Sequence, residues 1–174
     1  MLQRLFRPSP AKPAGEALYA AAAAQARRPD FYTGGGVADT REGRFELYTL
    51  HVILLVERLK GETGLIGDAR QILFDRYVQG LDDAFRELGV GDTAVAKRVK
   101  KLGQAFYGRL KAFEEAVAGL PDPAALTDLL TRTVLEGRGD TASKLATYVI
   151  NARDALSRQS AETLMAGEMP WESL

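Results

Sequence analysis

At 174 residues, with 46% hydrophobic and 26% charged, the chain has the length and balance of one folded domain with a substantial core. Lysine plus arginine and aspartate plus glutamate each number 23, so bulk charge selects neither nucleic acid nor anionic membrane, and any such attraction must come from a local patch. The absence of cysteine excludes disulfides, thiolate catalysis and cysteine-held metal clusters, and a sole histidine, His51, argues against a His-rich metal site or a serine–histidine hydrolase.

Met1 to Gly15 is rich in proline and cations and carries no acid, so residues 1–15 read as a flexible basic arm. Leu2, Leu5 and Phe6 can share a helical face beside Arg4 and Arg7, which leaves open a weak membrane-surface contact as well as a frayed terminus. Glu16 to Arg28 predicts a first helix, because alanine has high helix propensity and Arg27 and Arg28 face the negative end of the dipole. The run Ala20 to Ala24 also has the look of a secretory signal, but alanine is weakly apolar and a glutamate and prolines precede it. Pro29 stops this helix, Phe31 and Tyr32 are expected to dock on the core, and Gly34, Gly35 and Gly36 form a hinge. A phosphate-binding loop would need a preceding strand and a Gly-Lys-Ser/Thr ending, and neither is present.

Asp39 and Glu42 have capping-box spacing, so the next helix is predicted from about Thr40 to about Lys60. Its apolar residues, including Phe45, Leu47, Leu50, Ile53, Leu54 and Val56, cover most of the circumference, the mark of a central post with neighbours around it. The apolar run Thr49 to Val56 is far shorter than the about 20 residues a membrane span needs. His51, inside this run, reads first as a core or boundary residue hydrogen-bonded to a neighbour. Gly61 and Gly64 close the helix, and Asp68 with Gln71 opens a third that reaches Leu88, with Ile72, Leu73, Tyr77, Leu81 and Phe85 inward. Its acids Asp75, Asp82, Asp83 and Glu87 raise the question of a carboxylate or di-metal site. No Glu-x-x-His occurs, however, and solvation or pairing with the following basic helix accounts for them.

Gly89 fits a C-terminal cap and Asp92 or Thr93 an N-terminal one, which makes a short helix–helix corner. In the fourth helix Val95, Val99, Leu102, Phe106, Leu110 and Phe113 recur at helical spacing on one stripe. Lys97, Lys100, Lys101 and Lys111 share the far side, with Arg98 and Arg109 nearer the apolar edges. After Gly119, Asp122 caps and Pro123 opens a fifth helix to about Leu135. Past Gly137 and Gly139, Asp140 or Thr141 caps a last helix through Leu164, with Leu145, Tyr148, Val149, Ala152 and Leu156 inward. Trp171, in a tail at residues 167–174, packs back on the bundle or serves an interface. With no alternating strand pattern, the expectation is an all-α, single-domain bundle of about six helices with short capped loops, occupying residues 16–166.

The run LDDAFRELGVGD…VAKRVKKLGQAFYGRL, with GRFELYTLHVILLVERL upstream, resembles the ubiquinol-cytochrome c chaperone family of alphaproteobacteria and mitochondria, from about Phe45 to Phe113. The resemblance implies a non-enzymatic assembly factor for the respiratory ubiquinol-cytochrome c reductase that handles cytochrome b or another subunit of the complex. The mitochondrial members work with a small helical partner and the ribosome. A histidine commonly occupies the Leu-His-Val position in that family, which adds His51 to the candidates as a packing or recognition residue. The basic arm also has the character of a mitochondrial transit peptide, but the resembling stretch follows closely behind it. The expectation is a bacterial cytoplasmic chain, peripheral at the inner membrane if the arm engages it, or one on the matrix side if the source is eukaryotic.

Two kinds of binding function fit these residues. A chaperone would present Lys97, Arg98, Lys100, Lys101, Tyr107 and Arg109 as a basic-aromatic face, cations for acidic or phosphate groups and Tyr107 for apolar contact. The same residues also fit the solvated side of an ordinary amphipathic helix. A nucleic-acid module or other helical adaptor would use Leu88 to Lys111 as a helix-turn-helix-like unit, against which the neutral overall charge speaks; no DNA partner is expected. No nucleophile–base pair, metal constellation or dinucleotide fingerprint supports an enzyme, and no cofactor is expected.

Overall fold

The computed structural model describes residues 10–87 and 92–174. Among these the chain forms the helices α1 (Ala11–Ala26), α2 (Asp30–Thr33), α3 (Arg41–Arg58), α4 (Gly64–Glu87), α5 (Asp92–Val117), α6 (Ala124–Arg132), α7 (Ala142–Arg158) and α8 (Ala161–Met165), and no strand. The all-α expectation holds: six are long, and α2 and α8 are short turns of helix.

The centre is α3. Thr40, in extended backbone, caps it by accepting a hydrogen bond from the Gly43 N–H at 3.0 Å. Every residue from Thr49 to Val56 is buried, because α1, α4, α5 and α7 all pack on this helix. The polar members of that run are satisfied one turn back: Thr49 donates to the Phe45 carbonyl at 2.8 Å, and the His51 ring bonds the Leu47 carbonyl at the same distance.

Against α3 and α4 lies α1, whose buried side is built from Ala11, Ala14, Gly15, Leu18, Ala22 and Ala26. These small residues let it approach α4 closely; a Cβ on Gly15 would stand 2.6 Å from Ile72 Cβ and 2.8 Å from the Ala69 carbonyl. The helix starts at Ala11, inside the stretch expected to be an exposed arm. Pro13 is tolerated because the first turn makes no use of its missing N–H. The membrane-facing reading of Leu2, Leu5 and Phe6 falls outside the described residues.

Leu73 and Tyr77 of α4 are buried and Ile72 and Leu81 packed against the core; the Phe85 side chain lies outside those described, as does the corner at Gly89. This helix begins at Gly64, earlier than the Asp68 cap suggests, because Gly64 itself turns the chain at φ 60° straight into the first turn. Its acids pair largely along their own helix, with Asp82 accepting from Arg86, Asp75 from Gln71 and Asp83 from Gln79. In α5 the inward stripe is sealed at Phe106 and Phe113, with Leu110 packed beside them.

One expected helix is two. The chain turns extended at Gln159, Ser160 caps α8 by accepting from the Thr163 N–H, and Arg58 of α3 donates to the Leu156 and Gln159 carbonyls at 2.9 and 2.8 Å. That guanidinium bonds the carbonyls at the end of α7, a long-range partner with no local sequence signal. Beyond α8 the tail returns to the start of the bundle. Gln25 donates to the Glu172 carbonyl at 2.9 Å and the Leu174 N–H to the Asp30 carboxylate at 3.2 Å.

Candidate functional site: a groove between α3, α4 and α5

Tyr107 and Leu65 are the large hydrophobic side chains left exposed among the described residues, Tyr107 at 57%. Tyr107 ends an aromatic chain that starts in the core. The Tyr77 ring lies 5.1 Å from Phe106, Phe106 lies 5.1 Å from Phe74, and Phe74 lies 5.3 Å from Tyr107. Such tilted and edge contacts fix Tyr107 on a rigid support without burying it.

Beside it is an open groove of about 260 Å³ lined by Val56, Lys60, Arg70, Tyr107, Leu110, Lys111 and Glu114. Its floor is apolar and its rim charged. Lys60 reaches across to Glu114 at 2.7 Å, and Lys111 approaches Glu115 at 3.7 Å, both lysines being well exposed. Arg70 is different: half-buried on α4, it makes no hydrogen bond or ion pair among the described residues. Along α5, Lys100, Gly103, Tyr107 and Lys111 recur at helical spacing and so extend one margin of the groove by two turns. Gly103 leaves that margin bare, since a Cβ placed there would touch nothing.

The sequence-derived candidates divide into three groups. Lys97, Lys100 and Lys101 are exposed on α5 with no ion pair among the described residues, and Arg98 is exposed beside them. Tyr107 joins this face to the groove. Arg109, by contrast, is turned inward to Glu46 of α3, its Nε 2.9 Å from one carboxylate oxygen while Nη2 bonds the other, with its guanidinium 5.7 Å from the Phe45 ring centre. It joins α5 to the post and is unavailable to a visitor while that fork holds.

His51 is completely buried, at the opposite end of the design. Leu47 O can only accept, so Nδ1 carries the proton; Nε2 then accepts from the Tyr148 hydroxyl at 2.8 Å, and Tyr148 in turn accepts from Gln25 Nε2 at 3.0 Å. Both imidazole nitrogens and the Tyr148 hydroxyl are thus partnered. Burial lowers the His51 pKa to about 4, keeping the ring neutral, and burial likewise raises that of Tyr148 and keeps its hydroxyl a donor. Phe31 at 5.4 Å, Trp171 at 5.4 Å and Tyr148 at 5.8 Å enclose the imidazole. The ring locks α1, α3, α7 and the tail together and reaches no surface.

Arg70, Lys60 and Val56 escaped sequence reasoning as groove residues. Arg70 sits in a mixed stretch of α4 with no charge run, and only the tertiary approach of α3 and α5 makes it one wall of a site.

The ubiquinol-cytochrome C chaperone family model matches residues 34–171, which takes in the groove and all of α3 to α8. Among solved structures the chain is similar to the Cbp3 homolog from Brucella abortus, at 37% identity over 99% of this chain and 97% of that one, with a TM-score of 0.85. No curated protein matches. With the family pattern spanning the helices that build the post and the groove, and most of the chain, the chain belongs to the ubiquinol-cytochrome C chaperone family.

Proposed function

We propose that this protein is a non-enzymatic assembly chaperone for the respiratory ubiquinol-cytochrome c reductase that holds newly made cytochrome b. The family membership carries the reading. The geometry supports it: a helical bundle presents exposed cations and an exposed aromatic beside an open apolar groove, an arrangement suited to holding another chain. Lys97, Arg98, Lys100 and Lys101 attract acidic or phosphate groups, Tyr107 supplies apolar contact, and Arg109 and His51 keep the supporting helices in place. The client is shielded while its own better contacts are still missing and leaves as they form, with no bond made or broken by the chaperone.

No helix among the described residues is long and apolar enough to cross a membrane, so a client inserted in the bilayer is met from its surface in this reading. We place the protein on the cytoplasmic face of the bacterial inner membrane, or the matrix side in a mitochondrion, where contact with a translating ribosome uses the same cations. The test is a strain carrying Lys97→Glu, Lys100→Glu and Lys101→Glu together. Helix content stays unchanged and the reductase accumulates poorly; normal reductase levels would remove this face from the mechanism. Binding to duplex DNA with steep salt dependence would favour the nucleic-acid reading instead.

A further inference from the structure

We propose that the groove between α3, α4 and α5 is a carboxylate-reading site that takes an acidic peptide segment, with Arg70 forking an Asp or Glu side chain and Tyr107, Leu110 and Val56 receiving an apolar neighbour. Its lining sets the charge of its occupant. Lys60, Arg70 and Lys111 face a single lining acid, Glu114, so the groove carries a net positive field. Lys60 already has Glu114, and Lys111 has Glu115 nearby, whereas Arg70 has no partner among the described residues. Its guanidinium holds five donors in a planar fork that matches a carboxylate's two oxygens. Left facing the groove without a protein partner among the described residues, it favours an anionic ligand over an apolar one.

The shape narrows the choice further. A volume of about 260 Å³ holds side chains, since a liquid water takes only about 30 Å³. Glu114 in the wall repels a doubly charged phosphate more than a single carboxylate. The apolar floor next to Arg70 calls for a hydrophobic residue close to the acid in the bound segment, the composition found where an apolar helix meets water. This deepens the chaperone reading, on which the identity of the segment's owner rests.

The experiment uses the full chain and a fluorescein-labelled peptide of leucine and phenylalanine carrying two glutamates, against the same peptide with glutamines, followed by anisotropy. The glutamate peptide binds at least about tenfold more tightly, the scale of one charge-assisted hydrogen-bond pair. Arg70→Gln abolishes that preference, Arg70→Lys restores part of it, and Lys12→Glu on α1 leaves it intact. Should Arg70→Gln disturb the fold by circular dichroism, the exposed pair Lys60→Gln and Lys111→Gln serves instead and weakens the glutamate peptide severalfold. Equal affinity for the two peptides, an unaltered preference in both sets of variants, or a response only to phosphatidylglycerol vesicles or single-stranded RNA would overturn the proposal. Peptide binding together with normal reductase levels in a deletion strain would remove the chaperone reading and leave the groove; loss of reductase on deletion without peptide preference would do the reverse.

Discussion

Polar chemistry meets the central helix in two opposite ways. Around His51 both ring nitrogens and the Tyr148 hydroxyl have protein partners, aromatic rings pack against the imidazole, and the histidine holds four parts of the chain in register. Around Lys60, just past the end of that helix, and Arg70 of α4, cations stand at a groove with room beside them, and Arg70 has no partner among the described residues. The first arrangement specifies the fold, since a satisfied buried network tolerates few alternatives. The second costs the fold little and keeps donors available. Resemblance to a family draws the eye to the histidine; physical availability draws it to the groove.

This contrast breaks if the sealed side proves indifferent to substitution or the open side proves structural. The largest effect is expected at Phe106, which links the sealed core to the open face. Phe106→Ala costs about 3–5 kcal/mol in denaturant unfolding, and an unchanged midpoint would show that the aromatic chain is not core.

Acid probes the lock itself. The folded ring stays neutral down to about pH 4, whereas in the unfolded chain it takes up a proton near pH 6.5, so between those values the unfolded state binds more protons. Stability is therefore full above the upper value and falls as pH drops towards the lower one, by at most about 3 kcal/mol from this group. Comparing wild type with His51→Gln isolates the term, and identical pH slopes would show that the ring is not buried neutral.

Tyr148→Phe comes next. It leaves His51 Nε2 without a donor and removes one acceptor from Gln25, for a loss of about 1–3 kcal/mol; a neutral result would mean that the two remaining groups find each other or water. Smallest is Tyr107→Ala, within about 0.5 kcal/mol by thermal melting, since the ring is mostly exposed. Its effect belongs to reductase assembly, and a large loss of stability there would make Tyr107 a packing residue.

The helices were legible from sequence because their signals are local. The Thr40 cap, the inward residues of α5 and α7 and the apolar girth of α3 all lie within a few residues of what they determine. What escaped depends on distant partners. The break after Arg158 answers to Arg58, the early start of α1 to the close fit of Gly15 on α4, and the inward turn of Arg109 to Glu46. Arg109 illustrates the limit well: helical spacing put it at the edge of a cationic face, but spacing is silent on whether an acid waits across the interface. Tyr107 stands out in the sequence from its place among cations, yet its groove exists only once three helices meet.

The single tryptophan of the sequence stands edge-on to the imidazole, 5.4 Å between ring centres. A protonated imidazole draws excited-state electron density from a nearby indole, so the chain contains its own optical gauge of that titration. Its emission dims when the histidine charges and shifts towards the red when the tail comes away, which separates the two events in one cuvette without any added dye.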